Sequence, residues 1–382
     1  MQVPFSYLDR QFSDCDAIFE DMKELVKKGK FTLGQPLKVF EEKFATAVGA
    51  KYAIGVGSGT DSLFLSLKAL GVGEGDEVIT TVNTFVATAG AIETAGAKIV
   101  FVDVEAATMN MNSKLIEAAI TPKTKAIVPV HYAGVSCDME HIMALAQQYR
   151  LWVIEDAAQG VYAQYRHMPL GSIGHLGCYS FHETKNYTAG GEGGALLINH
   201  PELTARAEII REKGTNRTQF LMGQVDKYTW QEVGSSYLPG EFQAACLFAQ
   251  LEQAEEINNR RLHIWHQYYE ALMFYQQKGV LELPIVSQNQ RHNGHLFFCK
   301  LPTKEQRDRF IQELREKGIQ STFHYVPLHS SPAGQRFGLF CGEDRITSID
   351  SDRLCRLPVW FNMSDQQCHQ VIEACHQILE RF

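Results

Sequence analysis

The 382-residue sequence predicts an α/β fold, in which a large, mostly parallel, doubly wound sheet is followed by a smaller α+β unit. Three observations carry this expectation. Short β-branched or apolar runs alternate with helical patterns from about residue 52 to about residue 155. Those runs are apolar along their length rather than at every second position, as strands buried on both faces require. From about residue 201 the rhythm changes to long helical patterns, and then to a mixture of strands and helices.

The chain opens helically, with Ile18, Phe19, Met22, Leu25 and Val26 at helical spacing and Phe40 and Phe44 repeating it. Strands are expected at Tyr52–Val56, Glu77–Thr81, Lys98–Val104, Lys125–Val130 and Leu151–Glu155, with helices at about 60–70, 84–95, 112–120 and 139–149. Cys178–Phe181 and Ala195–Ile198 read as two further strands across a Gly-rich connection, and a polar helix runs to Arg211. Later come strand candidates His295–Cys299 and Ser321–Val326 and helices near 303–317 and 364–381. The expected division is a large unit over residues 1–250 and a small one over 251–382.

Composition narrows the function. Hydrophobic residues at 45% and charged residues at 21% exclude a disordered chain, and a net charge of −8 without a Lys/Arg run argues against nucleic acid as a partner. No apolar stretch reaches the length of a membrane span, and Met1–Phe5 lacks the basic start of a secretion signal, so a cytoplasmic protein is expected. Nine cysteines without a C-x-x-C pair read as reduced, mostly buried thiols. Cys368 and Cys375, seven apart on a probable helix, fit a shared buried face better than a metal site, and no metal is expected.

Three segments can carry chemistry. Gly55-Val-Gly-Ser-Gly-Thr-Asp61 leaves a strand and enters a helix, so it suits a phosphate on a helix N-terminus or serves only as a capped turn. Asp156 falls at the C-terminal end of an apolar strand, where ligands of open α/β sheets bind; it either meets a cationic ring nitrogen or caps the next helix. Lys185, in Ser180-Phe-His-Glu-Thr-Lys-Asn, precedes a Gly-rich loop and is either a surface charge or an amine held in a pocket that lowers its pKa. Pyridoxal phosphate requires one of each: a phosphate cup, a lysine for its aldehyde, and an acid opposite its ring nitrogen.

The order Gly-Ser-Gly-Thr-Asp61, Glu155-Asp-Ala-Ala-Gln159, Ser180-Phe-His-Glu-Thr-Lys-Asn186 and Gly191-Glu-Gly-Gly194 resembles the DegT-type sugar-nucleotide aminotransferases. These are pyridoxal phosphate enzymes of the aspartate aminotransferase fold, known as fold type I, and the match runs from about Pro4 to the C-terminal helix. The segments His131–Gly134, Tyr187–Gly194 and Arg211–Arg217 are similar to the family's transaminases for dTDP-4-amino-4,6-dideoxygalactose. The first hundred residues resemble the broader family.

The resemblance assigns Lys185 to the cofactor aldehyde and to proton transfer between the amino acid Cα and cofactor C4′, and Asp156 to the pyridinium nitrogen. It further implies that Gly59, Thr60 and Ser180 hold the phosphate and that Gln159 lies beside the ring hydroxyl. Phe85 would stack on the ring, or else simply pack in the core. Ser236 stands where many members carry an asparagine that reaches the partner subunit's phosphate, so at least a homodimer is implied, with a hydroxyl in place of the amide. His324 and His329 resemble a segment near the substrate or form a polar strand end, and Gly34 resembles a turn at the sugar-nucleotide mouth or is a turn alone.

The implied reaction moves an amino group from glutamate, giving 2-oxoglutarate, to a nucleotide-linked 4-keto-6-deoxyhexose, with dTDP the implied carrier. Its product would be a 4-amino-4,6-dideoxy sugar for surface polysaccharide synthesis. The rival readings are a 3-ketosugar aminotransferase, a dehydratase of the family with His at the lysine position, and a non-catalytic cofactor-binding regulator. Lys185 argues against the dehydratase, and the Lys185–Asp156 pair against the regulator.

Overall fold

The computed structural model describes residues 2–6, 11 and 15–382. Ten strands organise it: β1 (Ala53–Val56), β2 (Glu77–Thr81), β3 (Lys98–Val102), β4 (Thr124–Val128), β5 (Trp152–Asp156), β6 (Leu176–Ser180), β7 (Gly194–Ile198), β8 (Phe297–Lys300), β9 (Gly338–Phe340) and β10 (Leu354–Leu357). Eight of them form one sheet in the order β1-β7-β6-β5-β4-β2-β3-β9. Neighbours are parallel except around β7, which runs antiparallel to both β1 and β6. The expected mostly parallel sheet is therefore present, and its apolar strands are buried because helices cover both faces.

One face packs against helices Gln35–Ala47, Met139–Tyr149 and Glu241–Glu252 through Phe40, Phe44, Ile142 and Leu247. The other packs against helices Gly59–Ala69, Val86–Thr94 and Thr204–Arg211 through Leu65, Ile92 and Ala207. A third core gathers helices Ala254–Gln277, Lys304–Glu316 and Asp365–Leu379 on the antiparallel pair β8–β10. Cys368 and Cys375 share the buried face of the last helix, and all nine cysteines are unpaired thiols.

Three segments cross the boundary expected at residue 250. Val3 is buried in the third core and bridges Ile319, Gln290–Arg291 pairs with Gln164–Tyr165, and β9 adds to the large sheet beside β3. One sequence expectation is corrected. Ser321–Val326 is not a strand; only Thr322 makes a bridge, to Arg356, and the rest is irregular backbone ahead of Pro327. Its β-branched and aromatic residues are strand-like, but His324 and Tyr325 are turned to side-chain contacts rather than to a ladder. Among the described residues no helix is long and apolar enough to cross a membrane.

Candidate active site

The carboxyl ends of β1, β5 and β6 open into a cavity of about 470 Å³ that holds Gly59, Thr60, Phe85, Asp156, Gln159, Ser180, Lys185 and His324. In parallel sheets this edge collects the N-terminal ends of the following helices, which favours anionic ligands. A wider groove of about 800 Å³ beside helix Met139–Tyr149 contains none of these residues.

At the β1 end, Ser58 caps helix Gly59–Ala69 by accepting from the Asp61 N–H at 3.1 Å. The first N–H groups, those of Gly59 and Thr60, remain outside the helix's own hydrogen bonds. A side chain at position 59 would bring its Cβ to 2.7 Å from Ser180 Cβ, so only glycine lets the helix start lie against the end of β6. Gly194 is required in the same way, since a Cβ there would fall 2.4 Å from the Ser58 carbonyl oxygen. The result is a cup of backbone N–H groups and the Ser180 and Thr60 hydroxyls, which fits a phosphate.

Strand alternation separates two adjacent carboxylates. Glu155 is wholly buried and taken up by structure: it accepts from the N–H groups of Gly171 (2.8 Å), Ile173 (2.7 Å) and Gly174 (2.5 Å) and from His131 Nε2 (2.9 Å). His131 Nδ1 accepts from the Cys137 N–H at 3.2 Å, which places the ring proton on Nε2. Asp156 points the other way, into the cavity. Its Oδ2 accepts from the Thr88 hydroxyl at 2.7 Å and its Oδ1 from the Ala158 N–H at 3.2 Å. Each oxygen keeps one lone pair, which suits a cationic N–H. Gln159 accepts from the Ala133 N–H at 2.7 Å and donates to the Tyr325 hydroxyl at 3.2 Å, so its amide is fixed at the cavity wall.

Lys185 follows β6 on a turn closed by its own N–H on the His182 carbonyl at 2.9 Å. Asn186, next in the chain, is tied down by Gln11 (2.9 Å), His295 (2.9 Å) and the Asn293 carbonyl (3.2 Å). Burial pushes the Lys185 amine below the usual lysine range; the Asp156 charge opposes this, and the Arg356 charge adds to it. An amine lowered in this way has more of its neutral, nucleophilic form at neutral pH. Cup, carboxylate and lysine in one cavity fit pyridoxal phosphate.

Other expected residues are placed variously. Phe85 stands at the rim, 58% exposed and 6.4 Å from the Tyr325 ring, so it is not core packing. His324 lines the cavity, stacks on Tyr132 and lies 3.1 Å from its hydroxyl, and burial holds its ring well below the ordinary histidine range. Three residues lie outside this cavity. His329 pairs with Asp344 at 2.9 Å beside Phe340 of β9. The Gly34 N–H donates to buried Glu241 at 2.5 Å as the N-cap of helix Gln35–Ala47. Ser236 is exposed and bridges Glu212 through its backbone.

Sequence reasoning missed Thr88, Tyr325 and Arg356. Arg356 lines the cavity from β10, lies 4.7 Å from the Phe5 ring centroid, and has no carboxylate partner among the described residues. Arg261, also there, is spent on the carbonyls of Gly294 (3.2 Å) and His295 (2.6 Å). No motif marks Arg356, since only the pairing of β10 with β8 brings it to the site.

Residues 13–376 match the model of the DegT/DnrJ/EryC1/StrS aminotransferase family. The spore coat polysaccharide biosynthesis protein SpsC of Bacillus subtilis (strain 168) is 37% identical over 372 residues, 94% of each chain. Among solved structures, S. venezuelae DesV in complex with a ketimine intermediate superposes with a TM-score of 0.89 at 31% identity, covering 100% of this chain and 99% of that one. NtdA from Bacillus subtilis, with bound cofactor PMP, gives a TM-score of 0.88 at 30% identity, covering 99% of this chain and 85% of that one.

Proposed function

The chain belongs to the DegT/DnrJ/EryC1/StrS aminotransferase family, and from that premise we propose that it moves an amino group from glutamate to C4 of a dTDP-linked 4-keto-6-deoxyhexose. It is a sugar aminotransferase of fold type I and uses pyridoxal phosphate. The convergence of Lys185, Asp156 and the Gly59–Ser180 contact on one cavity carries the reading. When bound, pyridoxal phosphate supplies an electron sink for the carbanion left by α-proton loss.

In this reading Lys185 Nζ removes the α-proton of the amino acid in the first half-reaction and, in the second, supplies a proton to the sugar carbon that receives the amine. Asp156 holds the ring nitrogen, Gln159 the ring hydroxyl, and Phe85 covers one ring face. The phosphate rests on the Gly59 and Thr60 N–H groups and the Ser180 hydroxyl. Arg356 is the cation suited to a donor carboxylate, because that group is bonded to the reacting carbon and Arg356 lies within electrostatic reach of Lys185. His324 meets the sugar. Gly34 and His329 serve the sugar-nucleotide end, and in a homodimer Ser236 reaches the cofactor phosphate of the second copy.

The relative's spore coat polysaccharide name supports a role in surface polysaccharide synthesis. Nine unpaired thiols favour a cytoplasmic setting. In the decisive experiment, purified protein is yellow, glutamate bleaches it, and dTDP-4-keto-6-deoxyglucose restores the colour with a C4 amine in the NMR spectrum of the product. A C3 amine, or turnover by Lys185→Ala protein, overturns the reading.

A further inference from the structure

Asp156 is held by an unusual neighbour for a cavity carboxylate: a pair of threonines from the start of helix Val86–Thr94. Thr84 Oγ1 and Thr88 Oγ1 lie 2.8 Å apart, and Thr88 Oγ1 lies 2.7 Å from Asp156 Oδ2. Both hydroxyls are buried. Each threonine has a single hydroxyl proton. An ionised Asp156 can only accept, so the Thr88 proton goes to Asp156 and the Thr84 proton to Thr88. The chain of bonds therefore has one direction, and each bond polarises the next. A helical threonine often turns its hydroxyl back to the carbonyl four residues earlier. Thr88 instead spends its proton on a strand 68 residues away.

We propose that Thr88, backed by Thr84, is the positioning residue of Asp156, locking the rotamer in which the carboxylate offers its free lone pairs to the cofactor ring nitrogen. This rests on the proposed role of Asp156. The same turn carries Phe85, whose carbonyl accepts the Thr88 N–H at 3.2 Å, so the groups on the ring nitrogen and on the ring face are set by one helix start.

Thr88→Val keeps the shape and removes the hydroxyl, while Thr88→Ser keeps the hydroxyl and removes the methyl. In holoenzyme, Thr88→Val is expected to weaken pyridoxal phosphate binding and to slow bleaching by glutamate, each by roughly 10- to 100-fold, with Thr88→Ser within about 3-fold of wild type. In the Asp156→Asn background, Thr88→Val is expected to add less than about 3-fold, since the bond it removes has lost its charge. Equal losses for valine and serine, or additive losses in the double variant, would overturn the relay. If Asp156→Asn itself leaves cofactor affinity and bleaching unchanged, the role of Asp156 fails; if Asp156→Asn is disabling and Thr88→Val is silent, the relay alone fails.

Discussion

Two sides of the cavity are built to different standards. Around Asp156 each oxygen has a named donor, the neighbouring Glu155 is fully hydrogen-bonded, and Lys185 rides on a loop pinned from three directions. Towards Ser236 the chain turns outward, with Trp230 at 75% and Val233 at 73% exposure and Leu221, Met222 and Tyr228 exposed nearby. Apolar surface of this kind is a typical subunit contact. On the proposed reading, one chain by itself supplies the ring-binding half of the site. In the proposed homodimer, a second copy completes the phosphate and nucleotide half.

The largest test of that contrast is Lys185→Ala, which should cut amino transfer by at least the roughly 10²- to 10⁴-fold that a positioned proton carrier contributes, read as failure of glutamate to bleach added cofactor. Asp156→Asn comes next and has a signed effect. The Asp156 charge holds the Lys185 amine up against burial, so its removal should move the midpoint of cofactor uptake by the apoprotein to lower pH.

Acid probes the fold behind the cavity through His292, which packs on Trp265 and His266 and which burial lowers to about 4. The folded chain refuses a proton that the unfolded chain accepts near pH 6.5, so stability is present above that value and is lost as pH falls towards 4. The loss is on the order of 3 kcal/mol across the window. Melting temperatures should fall accordingly, and His292→Phe should flatten the fall. The smallest effect belongs to the other half. Ser236→Ala removes the hydroxyl proposed to reach the second copy's cofactor phosphate and should weaken cofactor binding about 2- to 10-fold, an effect that dilution to monomers erases.

Legibility followed the same division. Asp156, Lys185 and Gly59 were readable because strand ends, glycines and helix starts are local in sequence, and those local rules also place the parallel strands within a residue or two. Thr88 sits in an ordinary helical segment, and its significance exists only once β5 lies beside that helix. Arg356 and Tyr325 arrive from the C-terminal unit through long-range packing that no spacing rule encodes. Ser321–Val326 misled because β propensity records a fit to half-buried surface, and a cavity wall supplies such a surface without a ladder.

The Phe5 N–H on Gln320, beside the bridge between Val3 and Ile319, ties residues 315 apart in sequence at the rim of the cavity. A ribosome emits Phe5 315 residues ahead of Gln320, at ~5–20 residues per second. Val3 and Phe5 must therefore wait for these partners while the strands up to β7 are made. A chain ended before Ile319 keeps Lys185 and lacks both this contact and the Arg356 wall of the cavity.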